Sequence, residues 1–222
     1  MLSPKKIYNG KTLRQINSEL KEITKRDQDV RMKAHFAVGE GASAEGLEEI
    51  QEEMTAIGEY NQAYVSDLLD NYGWAGGLSL GAFDAIWLTI MHGPLEMLEK
   101  YYPMMEERSK RGFQRIADTT LLQSQDRILI YKGERQLYGT QFVTITSKDG
   151  TRQSYVWPID DLENINERRI HEKALFGKTS WKQNFEEHLE SHPWLIFDPD
   201  LTIEHPVRMM AEAEAFDAEN ND

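Results

Sequence analysis

The chain has 222 residues, 40% of them hydrophobic, which is enough for a sizeable core. With 38 acidic against 25 basic side chains its net charge is −13, so a phosphate backbone is repelled at long range and nucleic acid is not expected as a partner. It holds no cysteine, which excludes disulfides, thiolate metal sites and a thiol nucleophile.

Lys5 and Lys6 are followed by no apolar run, so the first ten residues do not read as a secretion signal. The longest apolar stretch, about Ala82 to Met91, is interrupted by Asp84 and is far short of the ~20 residues a membrane span needs. A cytoplasmic protein with no membrane association is expected.

Thr12 and Gln15 have capping-box spacing and predict a helix start. Leu13, Ile16, Leu20, Ile23, Val30, Ala34 and Ala37 continue it at helical spacing, and Gly39 and Gly41 end it. A second helix begins near Ser43, carries the stripe Leu47, Ile50, Met54, Ile57, Tyr64 and Leu68, and is capped by Gly73. A glycine-rich connection, Trp74 to Gly81, leads to a third helix, Ala82 to His92, apolar nearly all round and therefore central. Pro94 opens a fourth helix with Leu95, Leu98, Tyr102 and Met105 on its inner face, broken at Gly112. A short fifth runs from Phe113 to about Gln123.

The period then changes. Ile128 to Tyr131 reads as a strand, with a turn at Gly133. Leu137 to Thr146 is a longer strand rich in β-branched and aromatic residues. Lys148-Asp149-Gly150 makes a hairpin turn before a third strand, Arg152 to Trp157, closed by Pro158. Asn164 caps a short helix to His171, and Trp181 to Leu189 is one more. The expected fold is α+β, mainly α: about five helices, a three-stranded antiparallel meander over about 126–158, and short C-terminal helices. The expected division is a domain over 1–175, an extension over 176–208 packing on it, and an acidic, flexible tail over 209–222.

Several polar residues interrupt the apolar faces. Asp27 lies between Ile23 and Val30, and Asn61 takes an inner position of the second helix. A buried carboxylate or amide must find partners. An ion pair with Arg31 one turn on accounts for Asp27, and a loop-anchoring amide for Asn61; ligand contact is the alternative for both. His92 ends the apolar helix, where it is either a cap or a general base. No second histidine stands at ligand spacing beside it, so no metal and no cofactor are expected.

The densest cluster surrounds Asp126-Arg127 and Gln136-Leu137-Tyr138-Gly139-Thr140-Gln141. Strand alternation would turn Gln141 toward the core, and Gly139 marks a bulge or a close backbone approach. The cluster is either a stabilising network or a polar pocket floored by main chain. Arg168 and Arg169 suit an anionic ligand or the nearby Asp160 and Asp161. No nucleophile elbow, phosphate-binding loop or dinucleotide fingerprint is present in the sequence.

Taken in order, Tyr72-Gly73-Trp74, Gly81, the helix ending in His92, Leu122 with Asp126-Arg127, the Gln136-to-Gln141 run, Trp157-Pro158-Ile159 and Arg168-Arg169 resemble an uncharacterised bacterial family. Its marks are a YGW segment, a QHAD-like helix end, an LxDR step and a QxYGTQ strand. The resemblance spans roughly Asp27 to Arg169. Ala75 stands where that family has proline, and the helix end reads Met91-His92-Gly93-Pro94, without the glutamine before the histidine and the acid after it. The resemblance implies one site grouping His92, Asp126, Arg127, Gln136, Tyr138 and Gln141, but no reaction.

Two functions fit these residues. One is a binding module for a protein or a small polar ligand. The other is a hydrolase or transferase for a small polar or anionic substrate. In the enzyme, His92 is general base, Asp126 orients it, and Arg127 or Arg168 holds an anion. Gln141 and the Gly139 backbone then stabilise developing charge.

Overall fold

The computed structural model describes residues 6–39, 43–74, 77–110, 118–146, 152–176 and 185–204. The turn at 148–150, Gly112, the first part of the helix expected from Phe113, the start of the one expected from Trp181 and the tail 209–222 lie outside them. The protein is mainly helical with a small mixed sheet, as the α+β reading expects. It divides into two compact units, Met1–Met104 and Met105–Asp222.

Unit 1 opens with a hairpin of β1 (Lys6–Tyr8) and β2 (Lys11–Thr12). Asn9 and Gly10 turn it, both at positive φ (43° and 71°), as a tight hairpin requires. The capping box then forms: the Thr12 amide donates to Gln15 Oε1 at 2.9 Å, and the Gln15 amide reaches back to Thr12 Oγ1 at 3.4 Å. Helix α1 (Leu13–Gly39) follows, then α2 (Ala44–Tyr72), capped by Ser43 at its start and by Gly73 (φ 63°) at its end. Helix α3 (Leu80–Met91) starts at Ser79, whose hydroxyl accepts from the Ala82 amide, and ends at His92. The first turns of α4 (Leu95–Lys110) complete the unit.

Helix α1 packs on both α2 and α3. Ile16, Leu20, Ile23 and Val30 of α1, Val65, Leu68 and Leu69 of α2, and Ala82, Ala85, Ile86 and Ile90 of α3 are all buried. The hairpin is clamped at one end of the unit. The Tyr8 hydroxyl donates to Asp67, and Glu19 accepts from both Lys11 and Tyr64 at 2.7 Å. Burial and the neighbouring carboxylates push both phenols well above the ordinary tyrosine range.

Unit 2 departs from the expected meander. Ile128–Tyr131 is not a strand but the last turn of helix α5 (Asp118–Tyr131). The reason lies just beyond it. Gly133, at φ 71°, takes the left-handed position after a helix. The Glu134 amide bonds back to the Leu129 carbonyl at 2.9 Å and the Gly133 amide to Ile130 at 3.0 Å, a Schellman closure. The glycine therefore caps a helix rather than turning a hairpin.

Residues 136–141 form a loop, not the start of a strand. The strand β3 is limited to Phe142–Thr146 and pairs antiparallel with β4 (Arg152–Val156), Phe142 facing Val156. The third strand, β5 (Leu195–Ile196), comes from the C-terminal segment and pairs parallel with β4 through Ser154 and Tyr155. The sheet is therefore mixed. A 3-10 turn over Leu162–Asn164 leads into α6 (Ile165–Phe176), and α7 is Phe185–Glu190. Val156, Ile159, Ile165 and Phe185 form the buried centre, with Leu162, Leu189, Leu195 and Phe197 around it. The described part of 176–208 thus belongs to this core.

Candidate functional site

In unit 2 the loop 136–141 is tied from below by one carboxylate. Asp126 is fully buried on α5, and its oxygens accept from the Leu137 amide (2.7 Å), the Tyr138 amide (3.1 Å), the Thr140 amide (3.0 Å) and the Thr140 hydroxyl (2.8 Å). Gly139, at φ 66°, lets the chain curl so that these amides converge. Burial pushes the Asp126 carboxyl upward against the pull of those donors.

Gln136 is equally enclosed. Its side-chain amide donates to the carbonyls of Gln141 (2.9 Å) and Trp157 (2.6 Å), and its oxygen accepts from the Gln141 amide at 2.9 Å. Its main chain bridges to the 158–160 segment on both sides of Ile159. Arg168 spends its guanidinium on the Leu137, Asp160 and Asp161 carbonyls and on the Asp161 carboxylate at 3.0 Å. Buried Arg169 donates to the Tyr138 carbonyl at 3.0 Å. Burial draws its pKa down to about 10, against the opposing charge of Asp126.

The sequence cluster is thus real, but its polar groups are turned inward on main chain. Asp126, Gln136, Tyr138 and Arg168 are brought together around this loop. Gln141 does not point into the core: it is half-buried, and its amide lies 3.4 Å from the Gln123 carbonyl. Arg127 sits over the ring of exposed Tyr131, one helical turn away, rather than against a carboxylate. The cleft lined by Trp157, Pro158, Phe197 and Leu201 holds about 20 Å³, room for roughly one water.

Unit 1 carries the other candidates. Asp27 is buried, and Arg31 Nε donates to both its oxygens at 3.1 Å, the ion pair its spacing predicts. Its Oδ2 also lies 3.3 Å from Nδ1 of His92. The carboxylate against His92 is therefore Asp27 of α1, where sequence reasoning expected Asp126. The His92 ring keeps 22% of its surface exposed, while Nδ1 is buried and receives no hydrogen bond.

Burial opposes ionisation of Asp27, but His92 and Arg31 outweigh it and hold the carboxyl at about 2, against an ordinary 3.8. A carboxyl depressed on folding stabilises the fold above its unfolded pKa, and that stability is lost as pH falls through the folded value. The shift corresponds to about 2 kcal/mol. In urea titrations the gap between wild type and Asp27→Asn should be widest at neutral pH and narrow steadily below pH ~4. A gap unchanged down to pH ~2 would show that the charge of Asp27 contributes nothing.

Asn61 is 2% exposed and its side-chain oxygen has no hydrogen-bond partner, so it does not tie a loop through that atom. The pairs Glu19–Tyr64 and Lys33–Glu53 cross-link α1 and α2 antiparallel, and both Asp27 and Asn61 lie between those links. Arg26 stacks its guanidinium 4.9 Å from the Tyr60 ring centre at the same level.

Sequence reasoning missed an open groove of about 400 Å³ between α2 and the start of α4. Glu59, Ala63, Pro94, Glu96, Met97 and Tyr101 are among its walls. Its signal was faint, because single glutamates on exposed helix faces are ordinary. Among the described residues no group of three or more metal-ligating side chains occurs, and no helix is long and apolar enough to cross a membrane. No protein-family model matches this chain, no curated protein matches it, and no solved structure matches it.

Proposed function

We propose that this chain is an interaction module that binds a protein segment or a small polar ligand through unit 1, and that the polar loop of unit 2 is a structural knot. The observation that carries this reading is a contrast in how polar groups are used. Asp126 and Gln136 spend their hydrogen-bonding capacity inside the fold. The α2–α4 groove instead opens to solvent beside carboxylates that have no partner among the described residues. A closed network rigidifies, whereas a concave surface with unspent polar groups recognises. The acidic charge and the absence of a nucleophile motif point the same way.

One observation favours a second reading. A buried carboxylate against Nδ1 with the rest of the imidazole reaching solvent is the arrangement of a general base and its orienting acid. In that case His92 and Asp27 serve a hydrolase or transferase.

The test is capture on the immobilised chain, with retained species identified by mass spectrometry. Ala63→Trp, which fills the groove from an exposed position, should lose what wild type retains while keeping its helical circular dichroism. A compound consumed by wild type and left intact by His92→Ala would overturn the binding reading in favour of the enzyme.

A further inference from the structure

We infer that the α2–α4 groove receives a basic segment of a partner protein, one lysine or arginine stem lying along Ala63 and Met97 with its charged head between Glu59 and Glu96. This rests on the binding reading above and names its occupant.

The charges decide the sign of the occupant. Lys100 is the cation of the groove wall, and it is already neutralised by Asp70 at 2.7 Å. The Tyr101 hydroxyl donates to Asp70 as well, at 2.9 Å, and approaches the Ser66 carbonyl at 3.3 Å. That side of the groove is therefore fixed and electrically balanced. Glu59 and Glu96 remain, both exposed and both without an ion pair or hydrogen bond among the described residues. Glu96 stands in the first turn of α4. The net charge of −13 draws a cation in from a distance and repels an anion.

The floor decides its shape. Met97 is buried and polarisable, and Ala63 and Pro94 add no polar side chain. A bare ammonium gains nothing from such a floor. A lysine or arginine does, because its alkyl stem covers apolar surface while its head stays in water between carboxylates. Flanking apolar residues of a peptide extend the same contact.

The probe is a capped, fluorescently labelled hexapeptide alternating leucine and lysine, titrated by anisotropy at low and at physiological ionic strength. Wild type should bind it, and Glu59→Gln with Glu96→Gln should weaken binding about tenfold. The pair Glu48→Gln with Glu52→Gln removes the same charge from another exposed stretch of α2 and should change affinity by less than ~2-fold. The glutamate counterpart of the peptide should not bind. Equal losses in the two double variants would reduce the effect to general attraction and overturn the proposal. So would an absence of binding to wild type, or an affinity unchanged when the leucines become glycine. Failure of the occupant is separable from failure of the site. Partners lost with Ala63→Trp but kept with Glu59→Gln/Glu96→Gln leave the groove a binding site and overturn the basic segment. Partners kept with both overturn the groove itself.

Discussion

Asp126→Ala is expected to cost about 3–5 kcal/mol of stability, the range for breaking a buried charge network by removing one partner. Three amides and one hydroxyl converge on this carboxylate, and all four lose their acceptor once it is gone. Arg169, 1% exposed, loses one of two opposing charges, that of Glu186 remaining. At this chain length such a loss lowers the melting temperature by roughly 10 °C. Thr140→Val removes only the hydroxyl donor and should cost about 1 kcal/mol. Asp126→Asn keeps the shape but turns an NH2 group against amide donors, so it should fall much nearer to alanine than to wild type. Urea unfolding of the three variants gives the order directly. An Asp126→Ala loss no larger than that of Thr140→Val would mean that the loop does not depend on the carboxylate. It would also remove the reason for reading the loop as structure.

The same residue shows what could be read in advance. Features encoded within a turn or two of chain were legible. Thr12 with Gln15, Ser43 and Gly73 gave helix ends, because caps are local hydrogen bonds between near neighbours. Asp27 with Arg31 was legible for the same reason. The segment Ile128–Tyr131 is helix rather than strand because Gly133, expected to turn a hairpin, instead stands at a helix end. Gly133 completes a helix closure, and Asp126 must be on that helix to reach the loop above it. The Asn9-Gly10 pair, which turns β1 into β2, is a strong short-range hairpin signal of the same local kind.

What was not legible is non-local. The pairing of Leu195–Ile196 with β4 has no local signature in so short a strand. Nor does the meeting of Asp27 with His92, which depends on the packing of α1 against α3. The polar residues on apolar faces were correctly marked as needing partners. Which partners they find is set by tertiary packing, and that divides them into a satisfied loop in unit 2 and an incompletely satisfied set in unit 1.

Gly139→Ala is expected to be nearly as damaging as loss of Asp126, for two separable reasons. A φ of 66° costs a residue with a Cβ about 1–2 kcal/mol. The new methyl would also stand 2.5 Å from Phe185 Cε2, 2.9 Å from its Cδ2 and 3.2 Å from Ile165 Cδ1. Phe185 and Ile165 are both about 2% exposed and form the centre of unit 2, so neither has space to retreat. Overpacking of that kind adds about 1–3 kcal/mol, for a total near 3. Gly133→Ala isolates the first cost, since its φ is 71° and nothing lies within 4 Å of the added carbon. It should lose only about 1 kcal/mol. Phe185→Leu opens space beside residue 139, so Gly139→Ala should cost less in that background than in wild type, a coupling on the order of 1 kcal/mol. Equal losses at Gly139 and Gly133, or strict additivity with Phe185→Leu, would show that the loop does not sit against the ring. The glycine would then serve only to reverse the chain, and the tight seat that holds four donors over Asp126 would need another cause.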